Sequence, residues 1–157
     1  MDYLVLSQRN PSWAAKKLGF SNYTLGTHGC TVTALTMLLN RLFGTKYTPA
    51  DVNTKLKEKQ AFKGGLILWT RVPRAFPELK FIYRDYNYSN PLVAFYVYAK
   101  RLPVMVEVNG AKIGSSKHWV LYLGFGKACD PWTGKVIPTS VNAGGYPPTG
   151  SARFEKA

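Results

Sequence analysis

The sequence has few acidic residues, only two cysteines and no long apolar run, and each shortage excludes a class of protein. Eight Asp and Glu stand against 21 Lys and Arg, so the formal net charge is +13. Two cysteines are too few for a disulfide scaffold, and no Cys/His cluster indicates a zinc site. No apolar run approaches the roughly 20 residues that span a bilayer. These shortages argue against disulfide-rich, zinc-binding and transmembrane proteins.

The N-terminus carries no recognisable export signal. Residues 1–8 lack the basic segment and long apolar stretch of a secretory signal peptide. We therefore expect cytoplasmic synthesis and no stable insertion into a membrane. If the protein acts outside the cell, another factor must release it.

The positive charge is spread along the chain, and the densest pairs are Lys16-Lys17 and Lys100-Arg101. A diffuse basic surface predicts weak attraction to polyanions such as nucleic acid, anionic lipid heads or acidic wall polymers, without base-specific recognition. Aromatic residues make up 14% of the chain, which would also suit single-stranded nucleic acid. No aromatic RNP strand motif supports that alternative.

The length of 157 residues, with 46% hydrophobic residues, predicts a single domain over 1–157, expected to be a monomer. Residues 30–43 have the broad apolar face of a helix, and Gly44 is a plausible stop. A second helix is predicted from Thr48-Pro49-Ala50-Asp51, which supplies a cap and a first turn, to about residue 60. A third short helix is expected over 66–76.

The second half of the chain changes to short segments rich in Val, Tyr and Phe and divided by Gly, Pro or Asn, which predict strands. These segments are residues 79–86, 103–109, 118–125 and 127–130. Residues 91–101 fit a helix or a strand, and Pro91 and Lys100-Arg101 favour the helix. Residues 133–157 hold many Gly and Pro and are expected to wrap the surface. Helices followed by an antiparallel sheet predict an α+β fold.

Cys30 is the candidate nucleophile, because it follows Gly29 and opens the apolar helix. The positive end of a helix and its unpaired N–H groups stabilise a thiolate, and the same N–H groups can help to hold an oxyanion. The alternative is a small buried residue at a helix start. The other thiol, Cys129, is interpreted as buried filler, and a disulfide between the two would remove the nucleophile.

His118 and Asp130 are the candidate partners of Cys30. His118 begins a predicted strand and titrates near neutrality, as a general base must. Asp130 ends the next strand, and antiparallel pairing of the two strands would let its carboxylate orient the imidazole. The alternatives are an exposed histidine at a strand end and an aspartate that opens an Asp-Pro turn.

Further candidates surround these three residues. Gln8 can donate its amide to an oxyanion, or be a solvated loop residue. His28 lies close before Cys30 and is a rival base, although a substrate contact or a structural role fits it better. Trp119 and Trp132 can wall a substrate cleft, with core packing as the alternative for both and as the favoured interpretation of Trp69.

Four segments in this order resemble a known family. They are residues 6–13 (LSQRNPSW), 29–39 (GCTVTALTMLL), 118–121 (HWVL) and 130–134 (DPWTG). Together they are similar to the papain-like cysteine peptidases related to the bacteriocin (double-glycine) leader-processing peptidases, a group found in bacteria and phages.

The resemblance implies a papain-like α+β fold with the nucleophile helix packed on an antiparallel sheet. It also implies a triad of Cys30, His118 and Asp130, with Gln8 as the oxyanion donor. In many relatives the glutamine lies only a few residues before the cysteine, whereas here Thr24 holds the closer position.

The expected activity is that of a cysteine peptidase on peptides, including the peptides of peptidoglycan in the manner of a phage endolysin. This chemistry requires no metal and no organic cofactor. Two other functions stay open: an inactive papain-like domain that binds a peptide or a polyanion, and a host-takeover or nucleic-acid-associated protein, which charge alone supports.

Overall fold

A computed structural model describes residues 1–139 and 146–157. The first half is helical: α1 (Leu25–His28), α2 (Cys30–Phe43), α3 (Pro49–Glu58) and α4 (Val72–Ala75), with a 3-10 turn at Trp69–Arg71 before α4. A small hairpin joins β1 (Phe62–Lys63) to β2 (Leu66–Ile67). The predicted helix over 30–43 is confirmed, and the one predicted over 66–76 divides into β2, the 3-10 turn and α4.

The rest of the described chain is mostly sheet. It contains β3 (Leu79–Asp85), α5 (Asn90–Ala94), a π-helix (Phe95–Ala99), β4 (Val104–Asn109), a 3-10 turn (Ala111–Ile113), β5 (Lys117–Gly124), β6 (Lys127–Asp130), β7 (Lys135–Pro138) and β8 (Pro148–Lys156). Six of these strands form one antiparallel sheet in the order β3-β8-β4-β5-β6-β7. The predicted α+β class is therefore confirmed.

The predicted start of α3 and the predicted end of α2 are both present in the structure. Thr48 and Asp51 form a reciprocal capping box at the start of α3, with Pro49 in the first turn. Gly44 ends α2 in the left-handed conformation, with φ of 65°. Residues 91–101 are helical, as favoured, but the second half of the segment is a π-helix.

The sheet is covered on both faces. Along β4, Met105 packs with the core under α2 and α3, whereas Val104, Val106 and Val108 pack with Val93 of α5. This alternation is the two-residue period of a strand buried on both faces. The sheet therefore lies between two helical layers, and α2, which carries Cys30, contacts β5, which carries His118.

The expectation that residues 133–157 wrap the surface is wrong for the part that the structure describes. β8 is an inner strand between β3 and β4, and its residues 150–154 are buried. β7 forms the edge beside β6. The prediction was wrong because a strand tolerates proline and glycine at particular positions. Pro148 is the first residue of β8, and Gly150 lies where the backbone of Asp85 approaches closely. The part of this segment over 140–145 lies outside the described residues.

No helix in the described part of the chain is both long and apolar enough to cross a membrane.

Candidate active site

Cys30 is the first residue of α2, and the packing of α1 determines its position. Gly29 joins the two helices, and a Cβ at Gly29 would lie 2.4 Å from the carbonyl oxygen of Leu25. Only glycine allows this approach. The thiol is consequently held, half-buried, at the helix start, where backbone N–H groups favour a negative charge.

His118 and Asp130 form a buried pair. His118 Nε2 lies 2.7 Å from Asp130 Oδ1, and the two side chains are only 2% and 1% exposed. The strand register explains this contact, because Leu121 pairs with Cys129, and continuing by one residue places Asp130 across from Val120. Asp130 is thus the diagonal neighbour of His118 on one face of the sheet. The structure brings His118 and Asp130 together, as the sequence predicted. The alternative of an exposed histidine at a strand end is wrong, because His118 is buried.

Asp130 accepts two further hydrogen bonds. The backbone N–H of Trp132 donates to Oδ1 over 2.9 Å, and the hydroxyl of Tyr146 donates to Oδ2 over 2.9 Å. The Tyr146 ring also packs against His118, with ring centroids 5.2 Å apart. The carboxylate is therefore saturated with donors although it is buried, as a stable buried anion requires.

The protonation of the pair follows from these contacts. Burial by itself would lower the pKa of His118, but the hydrogen bonds to Asp130 and Cys30, with the charges of both, raise that pKa to about 9. Burial would raise the pKa of Asp130, but the His118 hydrogen bond and charge, with the donors Trp132 and Tyr146, lower it. At neutral pH the pair is an imidazolium and a carboxylate.

The two ring nitrogens of His118 have different surroundings. Nε2 faces Asp130, and Cys30, which lines the same cleft as His118, is among the groups that raise the pKa of His118. A thiol and an imidazole that share a cleft are the arrangement of a cysteine nucleophile and its base. The sequence order Cys30, His118, Asp130 thus corresponds to a spatial chain from thiol to ring to carboxylate.

Gln8 is buried beside the same site and is not the solvated loop residue of the alternative interpretation. Its backbone N–H donates to the carbonyl of Pro131 over 2.8 Å, and its side-chain Nε2 donates to the carbonyl of Gly26 over 3.1 Å. Its Oε1 is buried and has no hydrogen-bond partner among the residues that the structure describes. Nε2 carries a second hydrogen, which is the donor available to an oxyanion. Thr24, the residue nearer to Cys30, caps α1 instead.

The Asp-Pro-Trp-Thr-Gly segment is a tight turn that fastens the N-terminal loop to the site. Gly134 has φ of 68°, and its N–H donates to the carbonyl of Asp130 over 2.8 Å. A Cβ at Gly134 would lie 2.8 Å from the Cβ of Ser7. The Arg9 guanidinium lies 4.1 Å from the Trp132 ring and its Nε donates to the carbonyl of Trp132. This turn therefore aligns Asp130 and Gln8 together.

A cleft of about 1200 Å³ opens above these residues. Gln8, Cys30 and His118 line it, and so do all three residues predicted to contact substrate, Trp119, Trp132 and His28. Trp119 is otherwise buried, and Trp132 is half-buried under Arg9. The interpretation of Trp69 as a core residue is incomplete, since it also lines this cleft, 5.1 Å from the Trp119 ring.

His28 forms part of the cleft wall. Its ring stacks on Tyr23 with centroids 3.9 Å apart, and its Nδ1 lies 2.8 Å from the hydroxyl of Thr27. Cys30 is instead paired with His118. Cys129 is buried and free, and so is not bonded to Cys30.

The sequence analysis missed two parts of the site. The first is Tyr146, which belongs to the segment that was expected to wrap the surface, and no local sequence pattern indicates its contact with Asp130. The second part is the ion pair of Arg84 and Glu107, 2.9 Å apart, whose guanidinium lies 4.8 Å from the Trp119 ring. Glu107 did carry a signal, as the one charged residue of the otherwise apolar strand β4.

The chain was compared with known protein families, curated proteins and solved structures, and no match was found in any of the three. The functional argument therefore depends on the geometry of the site.

Proposed function

We propose that this protein is a papain-like cysteine peptidase, similar to the leader-processing peptidases, with Cys30 as nucleophile, His118 as base and Asp130 as the residue that orients the base. One observation supports this proposal above all others. His118 lies 2.7 Å through Nε2 from the buried Asp130 carboxylate, and it shares the cleft with Cys30, which is among the groups that raise the His118 pKa. A structural histidine needs no thiol from a helix start beside it.

The proposed reaction follows from these positions. The Cys30 thiolate attacks a carbonyl carbon, a C–S bond forms, and the oxyanion is held by Gln8 Nε2 and helix N–H groups. The imidazolium of His118 gives its proton to the leaving nitrogen as the C–N bond breaks. Water, deprotonated by His118, then attacks the thioester; the C–S bond breaks, the acid is released, and Cys30 returns as the thiolate beside a protonated His118. Asp130 stabilises the imidazolium throughout.

The charges that line the cleft favour a peptide substrate that carries acidic groups. Four basic side chains line it, Arg9, Lys63, Arg84 and Lys117. Among the described residues Glu107 is the single carboxylate in the lining, and Arg84 neutralises it. Aromatic rings supply the apolar surface. Peptidoglycan peptides, which carry free carboxylates, fit this lining, and the proposed role is that of a phage-type wall hydrolase.

The first test is the alkylation rate of Cys30, measured site by site by mass spectrometry between pH 6 and 8. We expect Cys30 to react faster than glutathione at pH 6, because His118 lies beside it as the base. In His118→Ala this advantage over glutathione should disappear.

The second test is the clearing of purified cell walls. Wild-type protein should release free amines from the wall peptides, and Cys30→Ala should release none while keeping its fold by circular dichroism. If Cys30 is reactive but the wild-type protein leaves the walls intact, peptidoglycan is not the substrate, and the peptidase proposal still stands. If Cys30 is no more reactive than glutathione, the proposal of peptidase activity is wrong, and a peptide-binding domain is favoured.

A further inference from the structure

The turn between β5 and β6 holds a bulky residue in an unfavourable conformation. Gly124 pairs with Lys127, so Phe125 and Gly126 form a two-residue turn. Their φ angles are 55° and 69°, which is the pattern of a type I′ turn. Gly, Asn and Asp favour the first position of such a turn, and an aromatic residue there is disfavoured.

Two tyrosines hold this turn in place. The N–H of Phe125 donates to the hydroxyl of Tyr98 over 2.8 Å, and the N–H of Gly126 donates to the hydroxyl of Tyr122 over 3.3 Å. The two hydroxyls lie 3.3 Å apart. The fold thus stabilises a residue in the left-handed region that is itself 84% exposed. Residues held in such sparsely populated backbone conformations cluster at functional sites.

Phe125 and Tyr98 form a surface that we call the aromatic tip, and Phe95 precedes Tyr98 by three residues on the same π-helix. Phe95 and Tyr98 belong to the π-helix and are 52% and 44% exposed. The rings of Tyr98 and Phe125 lie 5.3 Å apart at 72°. π-Helices are rare and concentrate at functional sites.

Basic residues surround the aromatic tip. Lys100, Arg101 and Lys127 are exposed beside it, and Arg101 lines the same shallow pocket as Tyr98 and Phe125. Residues 86–106 and 108–129 contain no Asp or Glu. Exposed aromatic rings within a cationic rim are the composition of surfaces that bind anionic membranes, where rings enter the headgroup boundary and cations meet phosphates.

We propose that the aromatic tip binds the surface of an anionic lipid bilayer, with Phe125 entering the headgroup region and Lys100, Arg101 and Lys127 contacting lipid phosphates. The tip lies at the far end of β5 from His118, seven residues and thus about 20 Å away. Binding there leaves the cleft open. The edge-to-face rings offer no parallel platform for stacking bases, which disfavours nucleic acid as the ligand.

The test is co-sedimentation with vesicles of phosphatidylcholine alone or mixed with phosphatidylglycerol. Wild type should bind the mixed vesicles. Phe125→Asn creates the Asn-Gly pair that type I′ turns prefer, so it should keep or raise the melting temperature while weakening binding about tenfold. Phe20→Asn, which removes another half-exposed ring, is the control and should bind as wild type does.

The charge is tested by Lys100→Gln with Arg101→Gly, since Arg101 has φ of 54° and glycine fits there. This pair should lose the preference for phosphatidylglycerol, and Lys46→Gln with Lys59→Gln, which removes the same charge elsewhere, should keep most of it. Any of three results would overturn the proposal. Wild type could fail to bind the mixed vesicles, Phe125→Asn could bind them as well as wild type does, or the protein could be retained only on single-stranded DNA.

Discussion

Asp130 lies at the centre of the site, and both of its carboxylate oxygens accept hydrogen bonds. His118 and the Trp132 N–H share Oδ1, and Tyr146 holds Oδ2. A carboxylate with three donors stays ionised although it is buried, so it can hold the imidazolium without taking its proton. The Asp-Pro turn of the alternative interpretation is also present, so the turn and the orienting function coexist in one residue.

Tyr146→Phe should destabilise the protein by about 1–3 kcal/mol at pH 7, because it leaves a buried charged oxygen without its donor. The hydroxyl stabilises the ionised carboxylate, whose pKa is lowered. The loss should therefore be present above the unfolded pKa, near 3.9, and shrink as the pH falls through the lower folded value. Urea unfolding between pH 7 and pH 3 measures it.

The control for this variant is Tyr83→Phe, which removes a hydroxyl that pairs with the neutral Ser151 over 3.0 Å. Its cost should not depend on acid pH. Equal costs for Tyr146→Phe at both ends of the pH range would show that the Asp130 contact is not what the hydroxyl stabilises.

At the scale of elements, the junction of α1 and α2 positions Cys30, the proposed nucleophile. Gly29→Ala places a methyl group against the Leu25 carbonyl, so α1 must shift away from the start of α2. We expect a stability loss of about 1–3 kcal/mol and slower alkylation of Cys30, since the thiol moves from His118. Thermal unfolding and site-resolved alkylation measure the two effects.

Gly44→Ala, at the other end of α2, provides the comparison for Gly29→Ala. Nothing lies within 4 Å of a Cβ there, so the variant strains only the left-handed backbone at φ of 65°. It should cost about 1 kcal/mol of stability and leave Cys30 as reactive as in wild type. If both variants slow Cys30 equally, loss of general stability explains the effect and the helix junction does not.

The strands show where local patterns mislead. β4 and β5 are rich in Val and Leu and are evident from the sequence, whereas β8 reads PTGSARFEK, which carries a proline, a glycine and three charges. β8 is nevertheless an inner strand, because its neighbours β3 and β4 satisfy both of its edges. Arg153, at its centre, is fully buried and donates to the carbonyl of Pro103.

At the scale of the whole molecule, the buried pair should make stability depend on pH. The His118 pKa is raised from 6.5 to about 9, so its contribution to stability is complete below pH 6.5 and is lost as the pH rises through 9. We expect the free energy of unfolding to drop by roughly 1–3 kcal/mol between pH 6.5 and 10. His118→Gln should show a smaller drop in urea titrations, and parallel curves for both proteins would contradict the assignment.

The sequence by itself determined the elements whose signals are local. The apolar face of α2 with its glycine stop, the capping box of α3 and the β-branched strands each satisfy their own backbone through nearby residues. The same kind of pattern placed Cys30 at a helix start, His118 near a strand start and Asp130 at a strand end, where the structure has them.

The tertiary structure alone decided which distant residues meet. Tyr146 reaches Asp130 from 16 residues away, the Gln8 loop docks on the Pro131 turn, and β8 inserts between strands formed much earlier in the chain. These contacts depend on strand pairing and on burial shared among remote segments. Local propensity carries no information about either, because the free energy of such contacts belongs to the assembled sheet rather than to any one segment.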